Sequence, residues 1–230
     1  MINFLRKLRS KSMKKGDYVK YALGEIILVV IGILIAVSIN NWNEARRERI
    51  KENQLLSKLK TENEYNTASL INDSSYHSKV DWIPYQLQKA LRDERSAKND
   101  SIILLKLLEI RRSTIFTFSS KYLERYIENS AMDSDELVDE LVELREYQNN
   151  LRQVSQMAFD FKFEKIFTYL EDFYDVNTES VTDIEELRTL RFINRLITLE
   201  NLEEAQVDIY LDCIQQHLKL DSLLAQRLSR

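Results

Sequence analysis

Residues 21–39, YALGEIILVVIGILIAVSI, decide how this chain is read. Nineteen residues rising about 1.5 Å each extend about 28 Å, close to the roughly 30 Å hydrocarbon thickness of a bilayer. Glu25 is the one charged residue in the stretch, a turn inside its start. The stretch is expected to be a single transmembrane helix, with a leader of residues 1–20 on one side and a domain of residues 40–230 on the other.

Charge sets the orientation. Arg6, Lys7, Arg9, Lys11, Lys14, Lys15 and Lys20 precede the span against Asp17 alone, whereas Asn40, Asn41, Trp42, Asn43 and Glu44 come after it. Basic flanks remain cytoplasmic, which places the N-terminus inside and the large domain outside. Arg46, Arg47, Arg49 and Lys51 pull the other way, offset in part by Glu44, Glu48 and Glu52. Tyr18 and Tyr21 at one end and Trp42 at the other suit the two membrane interfaces, where amphipathic rings settle. A cleaved signal peptide is the competing reading. The core Ile26–Val37 has a permitted length, and Ala36-Val37-Ser38 loosely fits a cleavage site. Apolar character reaching from Tyr21 to Ile39, then Asn-Asn-Trp-Asn, favours an uncleaved anchor.

Beyond residue 39 the chain carries 26 basic and 35 acidic residues, a net charge of −9. Such an acidic domain argues against nucleic acid or anionic lipid as its ligand, since phosphate recognition needs clustered Lys and Arg. The leader differs: Ile2, Leu5 and Leu8 recur among cations, so it either lies along the anionic inner leaflet or serves only as a topology signal. Cys213 is the single cysteine, which excludes an intramolecular disulfide and a cysteine zinc site, and it is expected to be buried. All three glycines, Gly16, Gly24 and Gly32, precede residue 33, and Pro84 is the single proline. Without glycine, tight hairpins and phosphate-binding loops are disfavoured, whereas helices joined by polar loops are not.

The expected fold is therefore all-α: an N-terminal transmembrane helix continuing into an extracytoplasmic antiparallel helical bundle with coiled-coil character. The first outer helix runs from about Trp42 to Asn72, with Ile50, Leu55, Leu56, Leu59, Leu70 and Ile71 on its apolar side and a polar middle at Glu62, Asn63 and Asn66. Asn72-Asp73-Ser74-Ser75 is the first expected break. Val80–Arg95 comes next, with Pro84 near its start, and then a turn at residues 97–101 whose Asp100 or Ser101 caps Ile102–Arg111. Arg112–Ser120, RSTIFTFSS, reads as a short strand or an extended connector. Lys121–Met132 forms a short helix. Asp133 with Glu136 fits a capping box opening a long helix to about Leu170, marked by Leu137, Leu141, Leu144, Tyr147, Leu151 and Val154. Residues 175–180 form a loop. Thr182 with Glu185 fits a second capping box, for a helix with Leu187, Leu190, Ile193, Leu196 and Ile197 on one side, and a last helix from about Leu199 carries Leu202, Ala205, Ile209, Ile214, Leu218 and Leu224.

The segments Lys20–Ala36 and Ile39–Glu44 resemble the N-terminal signature of a family of uncharacterised single-span proteins widespread in Bacteroidetes. Leu55–Glu62 resembles that family's post-membrane helix, and Tyr122–Met132 a segment in which relatives often carry Ser-Gly near Ser130-Ala131, from which Ala131 departs. The last hundred residues carry no such resemblance. The resemblance implies an uncleaved bacterial inner-membrane anchor and brings no activity.

Glu25 is the sharpest functional candidate, because a carboxylate within a span faces a partner or a water path by default. Glu25, Gly32, Ala36 and Asn43 lie near one helical stripe, and Gly32 with Ala36 forms a small-x-x-x-small packing pair. The bland alternative has Glu25 reaching headgroup water or pairing with Lys20. His77 and His217 lack a second ligand at metal spacing, so no metal, cofactor or catalytic constellation is expected. The aromatic run through Phe159, Phe161 and Phe163 is either a partner or ligand surface or the packing of converging helices.

These features favour a non-enzymatic, single-pass inner-membrane protein whose periplasmic domain binds a protein partner or assembles with itself. The alternatives are a periplasmic sensor module, signalling through another protein's span because the 20-residue leader is too short for an output domain, and a homo-oligomeric channel using Glu25. Membrane lipid and a second copy or a membrane protein are the expected partners; nucleic acid is not.

Overall fold

A computed structural model describes residues 15–80, 83–130, 135–175 and 177–229, with the side chains of 15–20 and 73–80 outside the description. The basic leader, the Tyr18 and His77 side chains and the Asp133 cap therefore lie outside the described residues. The fold is all-α apart from one two-residue ladder, and it divides into two compact units, Met1–Gln54 and Leu55–Arg230.

Helix α1 spans Lys15–Val80 without interruption, so the break expected at residues 72–75 does not occur. Its N-terminal half is long and apolar enough to cross a membrane. Every residue from 21 to 54 is exposed except half-buried Gly24. The row of bare Leu, Ile and Val side chains, each worth about 1.5–3 kcal/mol when removed from water, makes it a candidate membrane span.

The second unit begins at Leu55. It continues with helices α2 (Ile83–Arg92), α3 (Ala97–Ile110), α4 (Lys121–Asn129) and α5 (Glu136–Phe161); α5 runs on through a π-helical segment, Lys162–Phe167, and a final turn, Thr168–Leu170. Strands β1 (Tyr174–Asp175) and β2 (Ser180–Val181) pair antiparallel, and α6 (Ile184–Leu187) and α7 (Leu190–Leu228) complete the chain.

Polar caps set the helix starts, at positions that differ from those expected. Ser96 accepts from the Asn99 amide, so α3 begins at Ala97 and the turn expected at 97–101 is helical. Asp135, rather than Asp133, caps α5 through the Leu137 amide. Asp183 replaces Thr182 as the cap of α6, which ends within a turn. Thr189 then accepts from the Phe192 amide and opens α7, which runs unbroken through the boundary expected near Ile197. Each such cap contributes about 1 kcal/mol. Pro84 is the second residue of α2, where its missing N–H costs nothing.

The glycine-free domain nonetheless makes a hairpin. Asp175 Oδ1 accepts from the Asn177 amide at 2.8 Å, and Glu179 takes the left-handed conformation (φ 49°) that a glycine would normally supply. That conformation costs a non-glycine residue about 1–2 kcal/mol.

Helices α1, α5 and α7 form the bundle's axis, with α7 antiparallel to both others. Its buried residues, from Phe192 through Leu196, Leu199, Glu203, Gln206, Tyr210, Cys213, His217 and Leu220 to Leu224, alternate in steps of four and three. This is the 3.5-residue repeat of a coiled-coil seam. Of the apolar side expected from sequence, Leu224 lies on the seam, whereas Leu202, Ala205, Ile209, Ile214 and Leu218 flank it. Three apolar cores stack along the axis. One joins Leu56 and Leu59 to α4, the start of α5 and Leu220. A small middle core holds Leu70, Phe116, Leu151, Tyr210 and Cys213. The third joins α2, α3, Ile166, Leu170, Leu187 and Phe192. Burial pushes the Cys213 thiol up to about 12, so it is an inert core group.

Candidate functional site

The candidate membrane span presents its residues on an exposed surface. Tyr21 and Trp42, both more than half exposed, lie 21 residues apart on one helix, about 31 Å along its axis and so one hydrocarbon thickness. The Arg46 guanidinium lies over the Trp42 ring at 5.9 Å, one turn further on. A Cβ added at Gly32 would meet nothing within 4 Å beyond its chain neighbours and the backbone of its own helical turns. Nothing in the described residues covers Glu25, Gly32 or Ala36.

Within the domain, a polar seam crosses the bundle between the first two apolar cores. Its α1 members are the three residues of the polar middle, Glu62, Asn63 and Asn66, all buried. Glu62 Oε1 accepts from the amides of Tyr122 and Leu123, each at 3.0 Å, and Oε2 accepts from the Ser119 hydroxyl at 3.0 Å. The capping residue of α4, Ser120, makes no side-chain cap of its own. The Glu62 carboxylate thus satisfies the open N–H groups of α4 from another helix and meets the positive end of its dipole.

Asn66 binds both backbone groups of Ser119, donating to its carbonyl at 2.8 Å and accepting from its amide at 3.0 Å. Asn63 donates to the His217 carbonyl at 3.0 Å. Its Oδ1, which can only accept, lies 2.7 Å from His217 Nδ1. That nitrogen therefore carries the proton, and Nε2 accepts from the Gln148 amide at 3.2 Å. The ring is fully buried and stacks on Phe118, and burial lowers its pKa to about 4. It is held as one neutral tautomer. The seam leaves no room for even a water molecule; its chemistry is that of a lock rather than a binding site.

The connector Arg112–Ser120 has no regular secondary structure, and its backbone pairs with side chains rather than with a strand. Besides Ser119, the Phe116 amide donates to Ser155 Oγ at 3.3 Å, and the Arg112 carbonyl accepts from Lys162 Nζ at 2.8 Å. Lys162 also reaches Glu203 at 2.7 Å in a buried ion pair. Burial raises the pKa of Glu203, and the Lys162 charge opposes that shift.

The π segment accounts for the alternating aromatics. Along α5 the buried residues step by three and four to Ala158, and then by four each time through Lys162, Ile166 and Leu170. A π turn holds more residues than an α turn, so these four stay on one face. Phe161 packs on the third core, while Phe163 is 60% exposed and stacks on Phe159 at 6.4 Å. The sequence marks Glu62, Asn63 and Asn66 as polar but gives no role to Gln148, Lys162, Glu203 or His217. Their spacing on the seam of α5 and α7 is the signal that could have found them. Among the described residues, no three His, Cys, Asp or Glu side chains are placed to hold a metal ion.

No curated protein and no solved structure matches the chain. Residues 25–81, which take in most of the apolar stretch, the helix after it and the α1 side of the polar seam, match the model of a family of unknown function (DUF6090).

Proposed function

We propose that this protein is a single-pass inner-membrane protein, N-terminus in the cytoplasm and helical domain in the periplasm, that acts by protein–protein contact rather than catalysis. Self-association of its membrane helix is the first such contact. The observation that carries this reading is the bare face of α1: Gly32 opposes nothing beyond its own helical turns, and Ala36 lies one turn away. In a bilayer, small residues at this spacing let two backbones approach closely, and Glu25 on the same stripe would gain a partner. Membrane lipid covers the remaining faces. The test is crosslinking of the full chain in nanodiscs: Gly32→Leu with Ala36→Leu abolishes the dimer, and an unchanged crosslinking yield refutes the packing face. Labelling of a Lys60→Cys variant from the cytoplasmic side would overturn the orientation.

A second reading, a signal-transmitting module, is favoured by one observation. Helix α1 is unbroken from Lys15 to Val80, and three of its side chains are hydrogen-bonded to other segments of the bundle. A change in that helix would have to break or carry those bonds. A channel built around Glu25 ranks behind both and would show Glu25-dependent ion flux.

A further inference from the structure

Past the apolar stretch, α1 continues bare over residues 40–54, all of them exposed, and its charges are sorted around it. This segment holds four basic and three acidic residues, so the acidity that argues against an anionic lipid belongs to residues 55–230. Trp42, Arg46, Arg49 and Asn53 follow one another in steps of four, three and four, which keeps them within about 60° of the helix's circumference. Glu44, Glu48 and Glu52 make a second stripe, centred about 130° away round the helix. Arg47 and Lys51 each stand three residues after one of those carboxylates, a spacing at which helical ion pairs form. Arg46 has no carboxylate three or four residues away on either side. Neither Arg46 nor Arg49 makes an ion pair among the described residues; the Arg46 guanidinium lies over the Trp42 ring instead, 5.9 Å from its centre.

The position of this stripe along the helix names the ligand. Trp42 stands about one hydrocarbon thickness from Tyr21, Arg46 about 6 Å beyond Trp42, and Arg49 about 10 Å beyond it. Headgroups add about 5–7 Å to each face of the hydrocarbon, so Arg46 is level with the lipid phosphates. Arg49 lies one turn further out, and its long side chain reaches back to that level. We infer that Trp42, Arg46 and Arg49 form a headgroup site for an anionic phospholipid. The two guanidiniums donate to its phosphate, whose geometry suits their planar forks, and the indole lies against the top of its acyl chains. A phosphatidylglycerol headgroup brings no cation, whereas a choline headgroup sets its own positive charge against the arginines. The inference rests on residues 21–39 crossing the membrane, and every residue of the site belongs to the first compact unit.

The experiment reads the tryptophan itself. Trp82→Phe leaves Trp42 as the single tryptophan, and bromine on an acyl chain quenches an indole only near contact. The full chain is placed in phosphatidylcholine nanodiscs containing the same fraction of either brominated phosphatidylglycerol or brominated phosphatidylcholine. Salt of about 0.15 M screens exposed charges more than about 8 Å apart. Brominated phosphatidylglycerol is expected to quench as though enriched about threefold or more at Trp42. Arg46→Gln with Arg49→Gln removes the preference, while Arg47→Gln with Lys51→Gln, an equal loss of charge off the stripe, leaves it in place, as does excess inorganic phosphate. Displacement by inorganic phosphate would assign the stripe to a free anion and overturn the lipid site. Equal quenching by the two lipids, or an equal loss in the Arg47 and Lys51 variant, would overturn it while leaving the span intact. No quenching by either lipid would remove Trp42 from the bilayer edge, and the span reading would fall together with the site.

Discussion

Replacing His217 by leucine tests the lock at the centre of the bundle. The ring donates through Nδ1 to Asn63 and accepts through Nε2 from Gln148, and it is fully buried. Leucine fills a similar volume but leaves an amide oxygen and an amide N–H buried without partners. Each such group costs about 1–3 kcal/mol, so the variant should lose about 2–5 kcal/mol. The same ring predicts a pH dependence. Its pKa is lowered from 6.5 to about 4 in the folded chain, so between those values the unfolded chain takes up a proton that the folded one excludes. Stability is then fully present above pH 6.5 and falls as the pH drops towards 4. The loss is about 1.4 kcal/mol per pH unit, about 3 kcal/mol in all. Urea unfolding of the full chain in nanodiscs, followed by helical circular dichroism at pH 7.5, 6.0, 5.0 and 4.5, gives both quantities. The difference between parent and His217→Leu should shrink by about 2.5 kcal/mol from pH 7.5 to pH 4.5. Parallel curves for the two proteins would refute the neutral, buried tautomer.

The same geometry sets three further outcomes. Glu62→Ala uncaps α4 from a distance, so amide exchange at Tyr122 and Leu123 should accelerate by at least tenfold while α2 and α3 are unaffected; uniform acceleration would argue against local capping. Lys162→Met leaves Glu203 as an unpaired buried charge and should cost about 3–5 kcal/mol, whereas Lys162→Met with Glu203→Met should recover most of it; a double variant as unstable as the single one would show that the pair is worth more than apolar packing. The Cys213 thiol, buried with its pKa raised to about 12, should react with a maleimide only as fast as the domain unfolds, so rapid labelling of the native protein would contradict its burial.

The all-α architecture and the long apolar N-terminal helix were legible because they rest on composition and on an unbroken apolar run. The absence of glycine after Gly32 and nineteen apolar-rich residues need no tertiary information. The buried faces of α1 and α5 were largely legible too: Leu56, Leu59, Leu70, Leu137, Leu141, Leu144 and Leu151 are leucines where leucine is expected. The face of α7 was legible at Leu196, Cys213 and Leu224 but not at the polar residues between them. Its seam carries Glu203, Gln206, Tyr210 and His217, which a count of apolar residues passes over, so the count settled on the flanking Ile209 and Ile214. Glu203, Tyr210 and His217 can be buried because Lys162, Leu70, Asn63 and Gln148 stand opposite them, which only the paired helices reveal. The π segment was hidden for a similar reason. Spacings of four read as a wandering α-helical stripe until the partner core shows that all four residues face the same way.

That segment bears on how chains of this type can change length. A π turn is the form an α-helix takes when one extra residue is absorbed without rotating the residues after it, so the stretch around Lys162 has the form of a tolerated single insertion. Helix α7 has no such segment: one added residue anywhere between Phe192 and Leu224 would swing every later side chain by about 100° and tear the three cores apart. Seven residues added together would keep the phase and lengthen the rod by about 10.5 Å. Relatives that keep this bundle should therefore differ in α7 by whole heptads, and place their odd-numbered insertions in the hairpin at Asp175–Ser180 or beside the π turn.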